Sequence, residues 1–207
     1  MSEQQSRTLG VVLFPDFELL DVFGPVEMFG NLKGWVNVVT VAEKAGEVPS
    51  AQDVRVVADY GFSDCPHLDL ILVPGGIGTR TLVDDEAMLS FLRKRVADAE
   101  LAMTVCTGTA LFAKAGILDG HRATTNKMAF QWVADQGPKV EWVKQARWVE
   151  DGKFATSSGV SAGMDMTLAV IERLYGKDIT ERLAIATEYD RHTDASWDPF
   201  AKIHGLV

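Results

Sequence analysis

Cysteine is scarce in the 207-residue sequence, which contains only Cys65 and Cys106. Two cysteines are too few for the disulfide framework of a small secreted domain. Cys65 precedes one predicted strand and Cys106 follows another, so a parallel sheet would place them at opposite edges, roughly 15 Å apart. Because a disulfide requires Cα atoms within about 7 Å of each other, we predict two free thiols.

Long apolar runs are missing as well. No window approaches the roughly 18 apolar residues of a membrane-spanning helix. The apolar run Leu9–Phe14 near the start of the sequence is too short for the core of a signal peptide. We therefore expect a cytoplasmic protein without a membrane partner.

Positive charge is in deficit, since 20 Lys and Arg residues face 29 Asp and Glu residues and the net charge is −9. Binding to the phosphates of nucleic acids needs clustered Lys and Arg side chains. The one basic cluster, 93–95, is followed at once by Asp98 and Glu100, which is typical of a solvated helix face. We therefore expect no nucleic-acid partner.

Only four histidines are present. His67 and His121 precede predicted strands and belong at the sheet edge remote from Cys106, whereas His192 and His204 fall in a tail without a predicted position. No histidine follows Cys106 directly, so no Cys–His pair of the peptidase kind is evident. The sequence also lacks metal-ligand spacings, a dinucleotide fingerprint and a phosphate loop. We expect a small-molecule substrate and no cofactor.

The sequence does contain a regular alternation of short apolar segments with helical patterns. This alternation is typical of a parallel sheet covered by helices on both faces, and the composition is that of a globular protein. We predict one α/β domain over residues 1–207, a three-layer sandwich around a mostly parallel, flavodoxin-like sheet. Its core covers about 8–190, and the C-terminal tail, about 191–207, is expected to be irregular.

Six segments and a hairpin are predicted as strands, and six segments are predicted as helices. The strands are Leu9–Phe14, Val36–Val41, Val54–Ala58, Leu70–Val73, Leu101–Val105 and Arg122–Thr125, followed by a hairpin around Asp151-Gly152. The helices are about Phe17–Phe29, which Pro25 should break, Glu86–Asp98, Thr107–Ala115, Met128–Asp135, Ala162–Tyr175 and about Asp178–Ala186.

Cys106 is the strongest candidate for chemistry. The sequence changes from strand to helix at this residue, and Gly108 relieves crowding there, as in a nucleophile elbow. The helix N-terminus that follows supplies N–H groups and partial positive charge, which should lower the pKa of the thiol. A lone cysteine is otherwise most often a small buried apolar residue, but this position favours a nucleophile.

Two further features lie where ligands bind in such sheets, beyond the carboxyl ends of the strands. Asp21 sits in a helix that is apolar on both faces, where an unpartnered carboxylate would be costly. It could be the partner of the thiol or a structural hydrogen-bond acceptor. Gly75 and Gly76 follow the strand Leu70–Val73. Their N–H groups, with that of Thr107, could bind a developing oxyanion, although a plain tight turn fits a Gly-Gly pair equally well.

The sequence resembles the ThiJ/PfpI superfamily, a branch of the class I glutamine amidotransferase-like fold, from about Thr8 to Tyr189. Within it, the pattern is most similar to the isocyanide hydratase group. The stretches that carry the resemblance are Leu13-Phe14-Pro15, Leu20-Asp21-Val22-Phe23-Gly24-Pro25, Val73-Pro74-Gly75-Gly76-Ile77-Gly78, Val105-Cys106-Thr107-Gly108, Ala115-Gly116-Ile117-Leu118-Asp119-Gly120 with Ala123-Thr124-Thr125, and Ser158-Gly159-Val160-Ser161-Ala162-Gly163-Met164-Asp165.

This resemblance implies a cofactor-independent hydratase that converts isocyanides to N-formamides, with Cys106 as nucleophile and Asp21 as its carboxylate partner. It also implies a homodimer. One departure is the pair Asn126-Lys127, which replaces a His-Trp pair usual in this branch. Two alternatives remain: a glyoxalase-like activity on 2-oxoaldehydes, and a redox-sensing or small-molecule-binding module without catalysis.

Overall fold

The strands and helices account for most of the chain in the computed structural model, which describes residues 6–207. The strands are β1 (Arg7–Val12), β2 (Val36–Ala42), β3 (Gly46–Pro49), β4 (Arg55–Ala58), β5 (Tyr60–Gly61), β6 (Leu70–Val73), β7 (Leu101–Thr104), β8 (Arg122–Ala123), β9 (Glu141–Trp142), β10 (Trp148–Asp151) and β11 (Phe154–Ser157). The helices are α1 (Leu19–Gly30), α2 (Thr79–Leu82), α3 (Glu86–Asp98), α4 (Thr109–Lys114), α5 (Phe130–Gln136), α6 (Ala162–Tyr175), α7 (Lys177–Ala186) and α8 (Phe200–Ile203).

A seven-stranded sheet runs through the centre in the order β10-β11-β7-β6-β1-β2-β5. Every neighbouring pair in it is parallel except β10 and β11, which form an antiparallel hairpin. All residues of β6 and β7 are buried, because helices cover both faces of a parallel sheet and leave no solvent-facing side. The predicted fold class, a mostly parallel sheet between helical layers, is confirmed.

The order of the strands positions the candidate site. β1 pairs with β2 on one side and with β6 on the other, so the chain reverses its direction across the sheet between β1 and β6. Loops diverge at such a point and leave a crevice beyond the strand ends. Asp21 follows β1, Gly75 follows β6 and Cys106 follows the adjacent strand β7. All three therefore lie along the same edge of the sheet.

Three sequence expectations differ from the structure. Helix α1 continues through Pro25, because burial of residues such as Met28 and Phe29 outweighs the roughly 3 kcal/mol that an interior proline costs. Strand β4 pairs antiparallel with β3 and forms a small separate sheet. The tail contains α8, which sequence periodicity did not predict because it is only four residues long.

Within residues 6–207, no helix is both long and apolar enough to cross a membrane. Both cysteines are free thiols, as predicted.

Candidate active site

The turn at Cys106 has the backbone conformation of a nucleophile elbow. Cys106 has a φ angle of 56°, in the left-handed region that residues other than glycine rarely adopt. Its N–H donates to the carbonyl of Ser158 at 3.0 Å, and its own carbonyl accepts from Thr125 Oγ1 at 2.7 Å. These hydrogen bonds anchor the backbone on both sides of the strained residue.

Close contact between the ends of β6 and β7 explains why a glycine, Gly108, follows the elbow. A Cβ atom at Gly108 would lie 2.5 Å from the carbonyl oxygen of Val73 and 2.6 Å from that of Pro74. Any side chain there would push the turn away from the end of β6. Gly108 therefore lets the elbow approach the loop that contains Gly75 and Gly76.

Three hydrogen-bond donors surround the Cys106 sulfur. They are the backbone N–H groups of Thr107 and Val160 and the side-chain amide of Asn126. Asn126 Oδ1 accepts from the N–H of Ala129 at 3.0 Å. The amide Nδ2 therefore faces the opposite way, towards the sulfur. Each of the three donors favours the thiolate over the thiol.

Asp21 is fully buried and only half satisfied. Its Oδ2 atom accepts from the N–H of Gly75 at 2.8 Å, while Oδ1 is buried without a hydrogen-bond partner among the described residues. The charge of Asp21 acts on the Cys106 thiol and raises its pKa. The carboxyl group is therefore close enough to influence the sulfur electrostatically, and one of its oxygens remains available for a proton.

The glycine N–H groups of the β6 loop bind side chains of the site. The N–H of Gly75 holds Asp21, and the N–H of Gly76 donates to Thr107 Oγ1 at 3.0 Å. Thr107 Oγ1 is also 3.2 Å from the hydroxyl of Thr79. In this arrangement the two N–H groups position the acid and the elbow. A direct role of Gly75, Gly76 and Thr107 in binding substrate stays a prediction.

The structure reverses the expected direction of the thiol pKa. Burial, followed by the charge of Asp21, raises the pKa of Cys106 to about 12, and the three donors only partly oppose this shift. Burial likewise raises the pKa of Asp21 well above its usual range, against the hydrogen bond from Gly75. The predicted lowering was wrong because a turn in the sequence does not reveal how deeply its side chain is buried. Cys106 is therefore a thiol at neutral pH, and burial shifts Asp21 towards its protonated, uncharged form.

A cavity of about 240 Å³ lies next to two of the residues that donate to the sulfur, Asn126 and Val160. The C-terminal residues Asp198, Phe200 and His204 also line it. His204, which had no predicted position, lies at this cavity, although it is not among the groups that act on the Cys106 pKa.

Asp165, the other buried aspartate, has a structural role. It forms an ion pair with Arg147 at 2.5 Å and accepts from Tyr189 Oη and from the N–H of His192. These bonds attach the C-terminal residues to α6.

Sequence reasoning missed Val160 and gave Asn126 no role. Val160 acts through its backbone N–H, which no side-chain pattern reveals. Asn126 did carry a signal, because the pair Asn126-Lys127 departs from the pattern of the superfamily that the sequence resembles. Its contact with the sulfur required the tertiary structure.

We expect Gly75→Ala to destabilise the protein and displace Asp21. The added Cβ would lie 2.6 Å from Thr107 N and 2.9 Å from Asp21 Oδ2, and overpacking of this kind costs about 1–3 kcal/mol. Chemical denaturation of the purified variant measures the loss. Gly30→Ala is the matched control, because a Cβ there meets nothing within 4 Å. Equal stabilities of the two variants would contradict the packing that we describe.

Comparison with known protein families identifies relatives over most of the chain. A family model described as the DJ-1/PfpI family matches residues 7–173. An isonitrile hydratase of Pseudomonas putida is 35% identical over 87% of this chain and 78% of its own length. The transcriptional regulator GbdR of Pseudomonas aeruginosa is 26% identical over 89% of this chain, which spans only 51% of that regulator.

Solved structures agree with this comparison. A ThiJ/PfpI family protein from Pseudomonas syringae superposes with a TM-score of 0.84 and 29% identity, over 92% of this chain and 78% of that one. Drosophila melanogaster DJ-1beta superposes with a TM-score of 0.77 over 89% of this chain and 98% of its own. At 21% identity, the second likeness supports the fold alone.

Proposed function

This chain belongs to the DJ-1/PfpI family, and we propose that it is a hydratase that converts isocyanides to N-formamides without a cofactor. One observation carries the proposal: a buried cysteine sulfur lies within the electrostatic reach of a buried carboxyl group whose Oδ1 has no hydrogen-bond partner among residues 6–207. The similarity to an isonitrile hydratase supports the choice of reaction.

The first step adds the S–H group of Cys106 across the isocyanide carbon. The protonated carboxyl group of Asp21 delivers its proton to that carbon, which becomes electrophilic as it is protonated, and takes the thiol proton in exchange. The sulfur then donates an electron pair to the same carbon and a C–S bond forms. The product is a thioimidate, R–N=CH–S–Cys106, and Asp21 ends in its starting protonation state.

The second step adds water to the thioimidate. Asp21 gives its proton to the imine nitrogen and accepts one from the attacking water, which gives the tetrahedral adduct R–NH–CH(OH)–S–Cys106. Loss of the hydroxyl proton forms the carbonyl as the C–S bond breaks. That proton returns to the sulfur, so the products are R–NH–CHO and the free thiol.

The raised pKa values suit a neutral substrate. Burial disfavours a lasting charge on either group, whereas a proton that moves together with the electron pair leaves no isolated ion in the cavity. The donors from Thr107, Val160 and Asn126 then stabilise negative charge on the sulfur whenever the C–S bond is partly formed.

A glyoxalase-like reaction on 2-oxoaldehydes is the second candidate. That reaction moves a proton between two carbons and commonly uses a second base, and His204 lines the same cavity as Asn126 and Val160. A redox-sensing role has less support, because oxidation requires a thiolate and burial raises the pKa of Cys106.

One assay separates these functions. Purified protein is incubated with phenyl isocyanide or methylglyoxal, and formanilide and lactate are measured by chromatography. The proposal expects formanilide from the isocyanide. Lactate alone would support the glyoxalase candidate, and oxidation of Cys106 by mild peroxide without either product would support the sensor.

A further inference from the structure

The C-terminal segment, residues 191–207, is connected to the elbow by two paths of hydrogen bonds. The first path uses backbone groups alone. The N–H of Cys106 donates to the carbonyl of Ser158 at 3.0 Å, and the N–H of Ser158 donates to the carbonyl of Arg147 at 2.8 Å. The N–H of Arg147 then donates to the carbonyl of Ala195 at 2.7 Å. Three hydrogen bonds therefore link the N–H side of the nucleophile to the C-terminal segment.

The second path starts from the carbonyl side of the same residue and ends in an ion pair. The carbonyl of Cys106 accepts from Thr125 Oγ1 at 2.7 Å. The carbonyl of Thr125 accepts from Lys127 Nζ at 3.3 Å, and this ammonium group lies 3.1 Å from Asp198 Oδ2. Asp198 belongs to the same C-terminal segment as Ala195. The segment is thus attached to the backbone of Cys106 on both sides.

The ion pair between Lys127 and Asp198 is deeply buried, with side chains that are 2% and 1% exposed. Lys127 Nζ also donates to Thr124 Oγ1 at 2.6 Å, and Asp198 Oδ1 accepts from the N–H of Phe200 at 2.9 Å. A buried ion pair is a weak source of net stability, because the desolvation of two charges offsets their attraction. It does hold the two segments in one relative position, since either charge alone would be left unpaired in the interior.

The ion pair acts on the part of the site that has the strictest geometry. Cys106 has a φ angle of 56°, a conformation that persists only where the surrounding structure holds it in place. Thr125, Asn126 and Lys127 are consecutive in the chain. The first binds the carbonyl of Cys106, the second donates to its sulfur and the third binds the C-terminal segment. A shift of these three residues would therefore disturb the nucleophile at two points.

We propose that Lys127 and Asp198 are positioning residues, through which the C-terminal segment holds Cys106 in its left-handed conformation and keeps Asn126 against the sulfur. Neither side chain takes part in a step of the proposed mechanism. The expected effect on turnover rests on the proposed function, whereas the effect on the backbone of the elbow does not. Because a misplacement of about 1 Å can reduce a rate about 10²-fold, the pair should affect kcat more than stability.

Lys127→Met, Asp198→Asn and the double variant separate positioning from stability. Asparagine keeps an oxygen for the N–H of Phe200, and methionine is unbranched like lysine. Each single variant leaves one buried charge unpaired, so its Tm should fall by roughly 10 °C. The double variant has neither charge, and its Tm should return to within about 3 °C of the wild-type value. Its kcat for phenyl isocyanide should nevertheless stay about 10- to 100-fold below that of the wild type.

Hydrogen exchange at the elbow separates failure of this inference from failure of the proposed function. Mass spectrometry of overlapping peptides reports on the N–H of Cys106 whether or not any isocyanide is hydrated. In the double variant this N–H should exchange about tenfold faster or more than in the wild type, because its hydrogen bond to Ser158 opens more often. Peptides from α3 should exchange at the wild-type rate.

The control variant is Lys139→Met, which makes the same substitution in an exposed ion pair with Asp119. It should change neither kcat nor exchange at the elbow. Wild-type protein that hydrates no isocyanide would refute the proposed function and leave the exchange test in force. Wild-type exchange at Cys106 in a folded double variant, or a kcat that recovers together with Tm, would overturn the inference.

Discussion

Cys106→Ala is expected to abolish isocyanide hydration. The C–S bond is the first bond formed in the proposed mechanism, and alanine has no atom that can form it. Loss of a nucleophile that acts together with an acid–base partner removes nearly all catalysis. We therefore expect kcat to fall by roughly 10⁴-fold or more, to the rate in buffer. Formamide production by the purified variant measures this loss.

The matched control is Cys65→Ala. Cys65 is also buried and its pKa is also raised by burial, but its Sγ lies against the carbonyl of Pro66, outside the site. Turnover of this variant should equal that of the wild type. If Cys106→Ala remained folded and active, the sulfur would have no part in the chemistry.

Asp21→Asn should reduce kcat by about 10²–10⁴-fold, the usual contribution of a general acid–base group. Asparagine keeps the shape of the side chain, and its Oδ1 can accept the hydrogen bond from Gly75, but it cannot carry the proton. The fold should survive because a buried amide is less costly than a buried charge. A structural role alone would leave turnover almost unchanged, and the steady-state rate distinguishes the two roles.

The same substitution should have the opposite effect on alkylation. The charge of Asp21 raises the pKa of Cys106, so its removal lowers that pKa and increases the thiolate fraction at any pH below it. Wild-type labelling by iodoacetamide should rise about tenfold per pH unit towards about 12. The Asp21→Asn curve should lie at lower pH. Slower turnover combined with faster labelling is not expected from a variant that has merely lost its structure.

The sequence predicted elements well where strong local patterns agree. The bounds of α3, α6 and β6 match the predicted segments, because apolar periodicity or a continuous apolar run has a single interpretation there. The elbow at Cys106 was predicted for a similar reason, since β7 ends abruptly before a glycine and a helix.

Properties that depend on burial and on distant segments were not predicted. Val160 and Asn126 reach the sulfur from other loops, and the burial that raises the thiol pKa arises from the packed layers around the site. The N–H groups of Gly75 and Gly76 hold side chains of the site, an orientation that a Gly-Gly pair in a sequence does not specify. The homodimer implied by resemblance stays a prediction.

Trapping the covalent intermediate tests the central claim most directly. Wild-type protein is mixed with excess phenyl isocyanide, quenched into borohydride on the millisecond timescale, and analysed by peptide mass spectrometry. Borohydride reduces the C=N bond of the thioimidate and gives the N,S-acetal R–NH–CH₂–S–Cys, which is identified by its mass. Our account predicts this adduct on the peptide that contains Cys106, formed before formanilide appears. Formation of formanilide in the first turnover while every Cys106 peptide stays unmodified would contradict it.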